Sequence, residues 1–165
     1  MKKKGKSKPP KVNRAAIVVR SSSIHGKGVF AKVAIKKGSA LIEYEGERIS
    51  WKEAERRHPH NPDEPNHTFY FSLESGRVID ANCGGNAARW INHSCKPNCE
   101  AKEGSYEDMP RVFIFARRDL EPGEELFYDY SLDVEGRRTK EMKKDYECRC
   151  GAKRCRGTML AKRDK

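Results

Sequence analysis

The sequence predicts an α+β domain that is mostly β, and three observations point there. Apolar residues come in short runs, alternating with polar ones or apolar throughout, as strands require, and one stretch alone carries a clear helix start. Turn formers separate these runs at short intervals, so strand follows strand instead of alternating with helices, which argues against a βαβ sheet. At 165 residues the chain suits one domain with a real core rather than two. Apolar and charged fractions of 36% each make it more polar than average, yet runs such as residues 112–116 argue against disorder.

In chain order, residues 1–13 form a Lys-rich arm with Pro9 and Pro10 and need not fold. Residues 15–20 read as a first strand that Ser21, Ser22 and Ser23 break. In residues 25–31, Gly26 and Gly28 let the backbone approach something closely. Residues 41–47 form a strand carrying Tyr44 beside Gly46. Ser50 and Glu53 have capping-box spacing, so a short surface helix starts there and ends before Pro59. His58, His60 and His67 lie in a Pro- and Asn-rich loop without ligand spacing and receive no role. Residues 68–73 alternate, with Phe69, Phe71 and Leu73 on one side and Thr68, Tyr70 and Ser72 on the other, and a turn at Ser75-Gly76 returns residues 77–80 as a hairpin partner. Residues 111–117 are a strand apolar on both faces, residues 121–124 a turn, and residues 125–128 a short strand.

The net charge of +11 is unevenly placed. Residues 1–14 hold seven basic residues and no acid, and residues 137–165 hold twelve against four. Residues 15–136 hold sixteen basic and twenty acidic residues, a net of −4, which suits a cationic peptide partner, while the basic ends can touch nucleic acid. No run approaches the roughly 20 apolar residues of a membrane span, and no secretory signal follows the Lys-rich start, so an intracellular protein without a membrane partner is expected. Cys83, Cys95, Cys99, Cys148, Cys150 and Cys155 in such a chain read as metal ligands before disulfides.

Residues 85–99 concentrate polar donors, a bulky apolar pair and a candidate metal ligand in one segment closed by Pro97, the composition of a site rather than of ordinary core. Together with Tyr44-Glu45-Gly46, with residues 125–130 and with the Cys148, Cys150, Cys155 tail, this segment resembles the SET-domain protein lysine methyltransferases with a post-SET zinc segment and no pre-SET region. Four motifs in the family's order cover most of residues 14–160.

The resemblance implies small curled sheets through which the segment after the central motif is threaded, a connection that ordinary topology statistics would not propose. It implies an arm at 1–13, a SET domain at 14–135 and a zinc-binding segment at 136–165. It implies methyl transfer from S-adenosylmethionine to a protein lysine; the acidic body suits a basic substrate, histone-like or ribosomal, and a monomer in the nucleus of a eukaryote or the cytoplasm of a bacterium is expected. Tyr130 falls at the catalytic tyrosine, Tyr44 in the lysine channel, and Tyr128 at a position where a tyrosine favours mono- or dimethylation. Gly26, Lys27 and Gly28 match backbone contacts to the donor, and Arg89, Asn92 and His93 polar ones, types suited to a carboxylate and an adenine edge. An aromatic contact falls at Phe69 or Tyr70, with Tyr70 chosen, and Leu160 covers the adenine. Three C-terminal thiolates need a fourth ligand for one structural zinc; Cys95 is chosen, with Cys99 and Cys83 as rivals. The second functional class is a catalytically weak, zinc-stabilised module that binds nucleic acid or chromatin. A degenerate binder would be expected to lose one of Tyr44, Arg89, Asn92, His93 and Tyr130, and all are present.

Overall fold

The computed structural model describes residues 7–58, 69–133 and 136–162. Four small sheets carry the described chain, with two short helices and two 3-10 turns. Strands β1 (Ile17–Ser21) and β2 (Lys27–Ala31) form an antiparallel ribbon in which Val19 faces Val29. The 3-10 turn Arg14–Ala16 takes the beginning of the expected first strand, which starts two residues later than predicted.

The strand expected over 41–47 divides in two. Its first half, β3 (Ala40–Glu43), joins one three-stranded sheet, while β4 (Glu47–Ile49) joins another. Between them Gly46 lies so close to the Asp80 carbonyl that a Cβ would come within 2.5 Å of it. That contact bends the chain and leaves Tyr44 buried instead of on a regular strand face. Helix α1 (Trp51–Arg57) starts as the capping box predicts, with Ser50 accepting the Glu53 N–H at 3.1 Å.

Strands β5 (Tyr70–Ser72) and β6 (Val78–Asp80) complete the second sheet in the order β4, β6, β5. The expected hairpin is thus present, while Thr68, His60 and His67 lie outside the described residues and His58 is exposed. The 3-10 turn Ala87–Trp90 is capped by the Asn86 side chain and leads into β7 (Asn92–His93). Strand β8 (Cys99–Tyr106), which the sequence did not suggest, pairs along its whole length with β9 (Met109–Ala116), and β9 lies between β8 and β3.

Strand β10 (Phe127–Tyr128) lies parallel to β7, Phe127 opposite Asn92 and Tyr128 opposite His93. The approach to it is fixed on both sides: Leu126 N–H donates to Val29 O of β2 at 2.7 Å, and the buried Asn98 amide donates to Glu125 O and accepts from Phe127 N–H, each at 2.8 Å. Residues 125–130 therefore run between β2 and residues 92–98, as the threaded connection requires. Side chains from most of these pieces share one core, in which Val29, Leu41, Ile79, Ile91, Ile114 and Leu126 are almost completely buried, while Ile49 of β4, Ala54 of α1 and Val78 of β6 form a second, smaller cluster.

Two expectations about the ends change. The arm docks from Ser7 onward, where the Ser7 hydroxyl donates to Ser105 O at 2.7 Å and its carbonyl accepts from Glu107, because the tip of the β8–β9 hairpin offers free backbone groups. Near the other end, Thr139 caps a second helix, α2 (Lys140–Asp145), which was not anticipated. No described helix is long and apolar enough to cross a membrane.

Candidate functional site

Tyr44, Phe71 and the pair Tyr128 and Tyr130 converge from three different segments. Ring centroids are 5.3 Å apart for Tyr44–Phe71, 6.5 Å for Phe71–Tyr128 and 4.9 Å for Tyr128–Tyr130. Burial pushes the phenols of Tyr44, Tyr128 and Tyr130 well above the usual range, so all three stay neutral. The Tyr130 hydroxyl donates to the Ile91 carbonyl. Such a cluster is an apolar slot edged by hydroxyls.

Tyr130 also lines a cavity of about 200 Å³ with His25, Gly26, Lys27, Phe69, Arg89, Trp90 and Asn92. Its mouth is cationic: Lys27 Nζ stands 4.8 Å from the centre of the Trp90 ring and the Arg89 guanidinium 4.7 Å from it. The Arg89 Nε is buried without an acceptor, an orphan that a bound acceptor can satisfy. Phe69 packs edge-on against Trp90, with centroids 5.1 Å apart.

The candidate residues divide here. Gly26, Lys27, Arg89, Asn92 and Tyr130 come together at this cavity. Tyr70, chosen over Phe69, does not: strand alternation turns it to the opposite side, where its hydroxyl donates to Ala54 O at 3.1 Å. Gly28 serves a different contact, since a Cβ there would lie 2.2 Å from Glu125 Oε1. Leu160 is buried beside Leu132 and is not part of the lining.

Asn92 is largely committed to bracing the 25–27 loop. Its amide reaches the carbonyls of His25 at 3.3 Å and Lys27 at 3.0 Å, and the Glu125 carboxylate at 2.9 Å. Glu125 in turn accepts from the Ser22 hydroxyl at 3.0 Å. His93 stands behind Tyr130, buried, with its Nδ1 accepting the Tyr130 backbone N–H at 3.0 Å. Burial pushes its pKa down to about 4, and the imidazole is neutral at physiological pH.

The sulfurs of Cys95, Cys148, Cys150 and Cys155 lie within 4.8 Å of one another. Cys95 Sγ is 3.6 Å from Cys148 Sγ and 3.8 Å from Cys155 Sγ, and a tetrahedral zinc with Zn–S near 2.3 Å spaces its sulfurs by about 3.8 Å. The donors fit that ion. Burial raises Cys150 less than the Cys95 and Ala152 N–H groups and the neighbouring thiols lower it, which brings it down to about 6. The rivals lie elsewhere: Cys99 is in the core, its thiol pushed up to about 12 by burial, and Cys83 is exposed near Arg57. Arg156, next to Cys155, ties the cluster to the aromatic slot by a bidentate pair with Asp129 at 2.7 and 3.0 Å. His25, Trp90, Glu125 and Asp129 lie inside stretches the sequence singles out but received no role of their own there, and Arg156 lies outside them; Phe69 was weighed as the aromatic contact and shares its alternation with the core-facing Phe71.

Residues 26–131 match the family described as SET domain. The chain is 39% identical over 146 residues to Histone-lysine N-methyltransferase 2B of Homo sapiens, covering 88% of this chain and 5% of that protein. It is 36% identical over 137 residues to Histone-lysine N-methyltransferase ash1 of Drosophila melanogaster, covering 83% and 6%. A solved structure described as ctPRC2 in an autoinhibited conformation bound to S-adenosylmethionine shares 35% identity at a TM-score of 0.65, covering 70% of this chain and 15% of that one. The chain thus spans about a twentieth of the length of these two curated relatives.

Proposed function

The chain belongs to the SET-domain family, and on that premise we propose that it is an S-adenosylmethionine-dependent protein lysine N-methyltransferase. The observation that carries the reading is the double position of Tyr130, at once in the wall of the cationic cavity and in the aromatic slot. When bound, the donor supplies a methyl group on a positively charged sulfur. Lys27 and Arg89 face its carboxylate, Phe69 and Trp90 give it apolar walls, and Asn92 keeps the 25–27 loop in place.

The amine enters from the side of Tyr44, Phe71 and Tyr128. A free lysine has a pKa of about 10.4, and desolvation among these rings favours its neutral, nucleophilic form. The Tyr130 hydroxyl, kept un-ionised, orients the amine in line with the sulfur. Holding two reactants in near-attack geometry accounts for roughly 7 to 11 kcal/mol of barrier lowering. A zinc held by Cys95, Cys148, Cys150 and Cys155 makes the segment at 136–165 a structural part of the site and supplies no step of the transfer.

The substrate class favoured is a basic tail of the histone type. The acidic body attracts such a tail, and the two relatives described above are named for histone lysines. Tyr128 adds a hydroxyl to the slot and favours mono- and dimethyl-lysine. Incubating the chain with methyl-labelled donor and purified histone proteins, then mapping label by mass spectrometry, tests the reading. Label on lysine side chains is expected; donor binding with no labelled protein from histones or from whole-cell extract overturns it.

A further inference from the structure

His93 is a buried side chain that touches both the sulfur cluster and the backbone of Tyr130. Its Nδ1 accepts the Tyr130 N–H at 3.0 Å, so the ring proton sits on Nε2, and Nε2 stands 3.5 Å from Cys95 Sγ. The ring has little freedom to turn. Tyr130 packs on it edge-to-face at 5.3 Å, and the side chain is 2% exposed. Asp129 Oδ1 is 3.6 Å from the same Nδ1, but that oxygen already accepts the Ser131 N–H at 2.9 Å and belongs to the carboxylate held by Arg156. His93 is absent from the cavity lining that includes its neighbour Asn92. Its polar atoms are thus spent inside the protein rather than on a ligand.

We propose that His93 is a positioning residue, a hydrogen-bond relay through which the metal-binding sulfurs set the backbone of the catalytic tyrosine. The relay rests on the metal and methyl-transfer readings above. The physical chain is short. A metal-bound thiolate is a stronger acceptor than a thiol, so a loaded centre fixes the Nε2–H end of the ring, and the fixed ring presents Nδ1 to the Tyr130 N–H. Tyr130 begins the exit from β10, where no ladder bond to β7 holds it, and the imidazole takes the place of that missing partner. Loss of the metal therefore loosens the tyrosine without touching either reactant.

Two substitutions separate the ends of the relay. The Asn side chain places its Oδ1 near the position of Nδ1 and keeps the acceptor alone, whereas the Gln side chain places its amide near Nε2 and keeps the donor alone. In the full chain loaded with zinc, His93→Asn should weaken zinc in a chelator competition by about 10- to 100-fold, while its Tyr130 amide exchange, cut off from the sulfurs, no longer changes when zinc is chelated. His93→Gln should hold zinc near the wild-type affinity while Tyr130 amide exchange speeds by about tenfold, the loss of one hydrogen bond. In His93→Gln kcat should fall with the donor KM little changed. The Tyr130 rate is read against that of Ile114 in β9, so a variant that only loosens the fold moves both. Chelating zinc from the wild-type chain should also speed Tyr130 relative to Ile114. The proposal is overturned if both variants shift both readouts by the same factor, if neither readout moves, or if the wild-type chain holds no zinc. Zinc binding with the expected split but no methyl transfer would remove the activity reading and leave the relay standing.

Discussion

Glu125 fills the space that a side chain at Gly28 would need, and it is not free to move aside. Asn92 and Ser22 hold both of its oxygens, and Asn92 in turn braces the loop over the cationic cavity. Gly28→Ala should therefore cost about 1–3 kcal/mol of stability, as overpacking does, and weaken donor binding at the same time. Thermal unfolding and donor titration check it; an unshifted Tm contradicts the contact. Tyr128 raises a different question at the same scale, because its ring belongs to both the core and the slot. Removing its hydroxyl frees about the volume of a water molecule, roughly 30 Å³, enough for an added methyl group. Tyr128→Phe should shift product toward higher methylation at a similar initial rate, which time-resolved mass spectra of a peptide substrate record. A wild-type chain that already runs to trimethyl-lysine contradicts the assignment.

At the scale of elements, the strand alternation of residues 69–73 carries more information than the identity of any one aromatic. Phe69 and Phe71 fall on the side of the core and cavity, while Tyr70 reaches Ala54 in the smaller cluster. Phe69→Ala should lower donor affinity by about tenfold or more through lost burial, whereas Tyr70→Phe should leave it unchanged and cost only about 1 kcal/mol from the lost hydrogen bond to α1; calorimetry of donor binding separates the two. The C-terminal element behaves otherwise, because few of its residues are buried and its order comes from the sulfur cluster and the Arg156–Asp129 pair. Chelation or Cys150→Ser should speed proteolysis across residues 136–162 and weaken donor binding, while the β8–β9 sheet stays protected from amide exchange. Uniform loss of protection would show that the metal holds the whole domain.

For the molecule as a whole, what could be read in the sequence was what local pattern dictates. The cap at Ser50 and the hairpin at residues 70–80 follow from spacing and alternation, while Cys95 was picked out from among six cysteines by the family resemblance. Strand β8 was missed because its Cys-Glu-Ala-Lys-Glu-Gly-Ser-Tyr run has no clean alternation and owes its extension to β9. The bend at Gly46, the Glu125 slot and the Arg156–Asp129 pair join residues 27 or more apart in sequence, and no local rule encodes such contacts. The threaded path of residues 125–130 came from the family resemblance alone. That path is what brings Tyr130 to the junction of cavity and slot, where its hydroxyl faces both. Burial holds it neutral beyond the ordinary tyrosine range, so the rate should rise with pH as the substrate amine deprotonates, with no step from Tyr130 below about pH 10. The most direct measurement is the single-turnover transfer rate of Tyr130→Phe against wild type at saturating donor, across that pH range. The expected result is a fall of about 100-fold at unchanged donor affinity and unchanged pH midpoint; transfer at the full wild-type rate would contradict it.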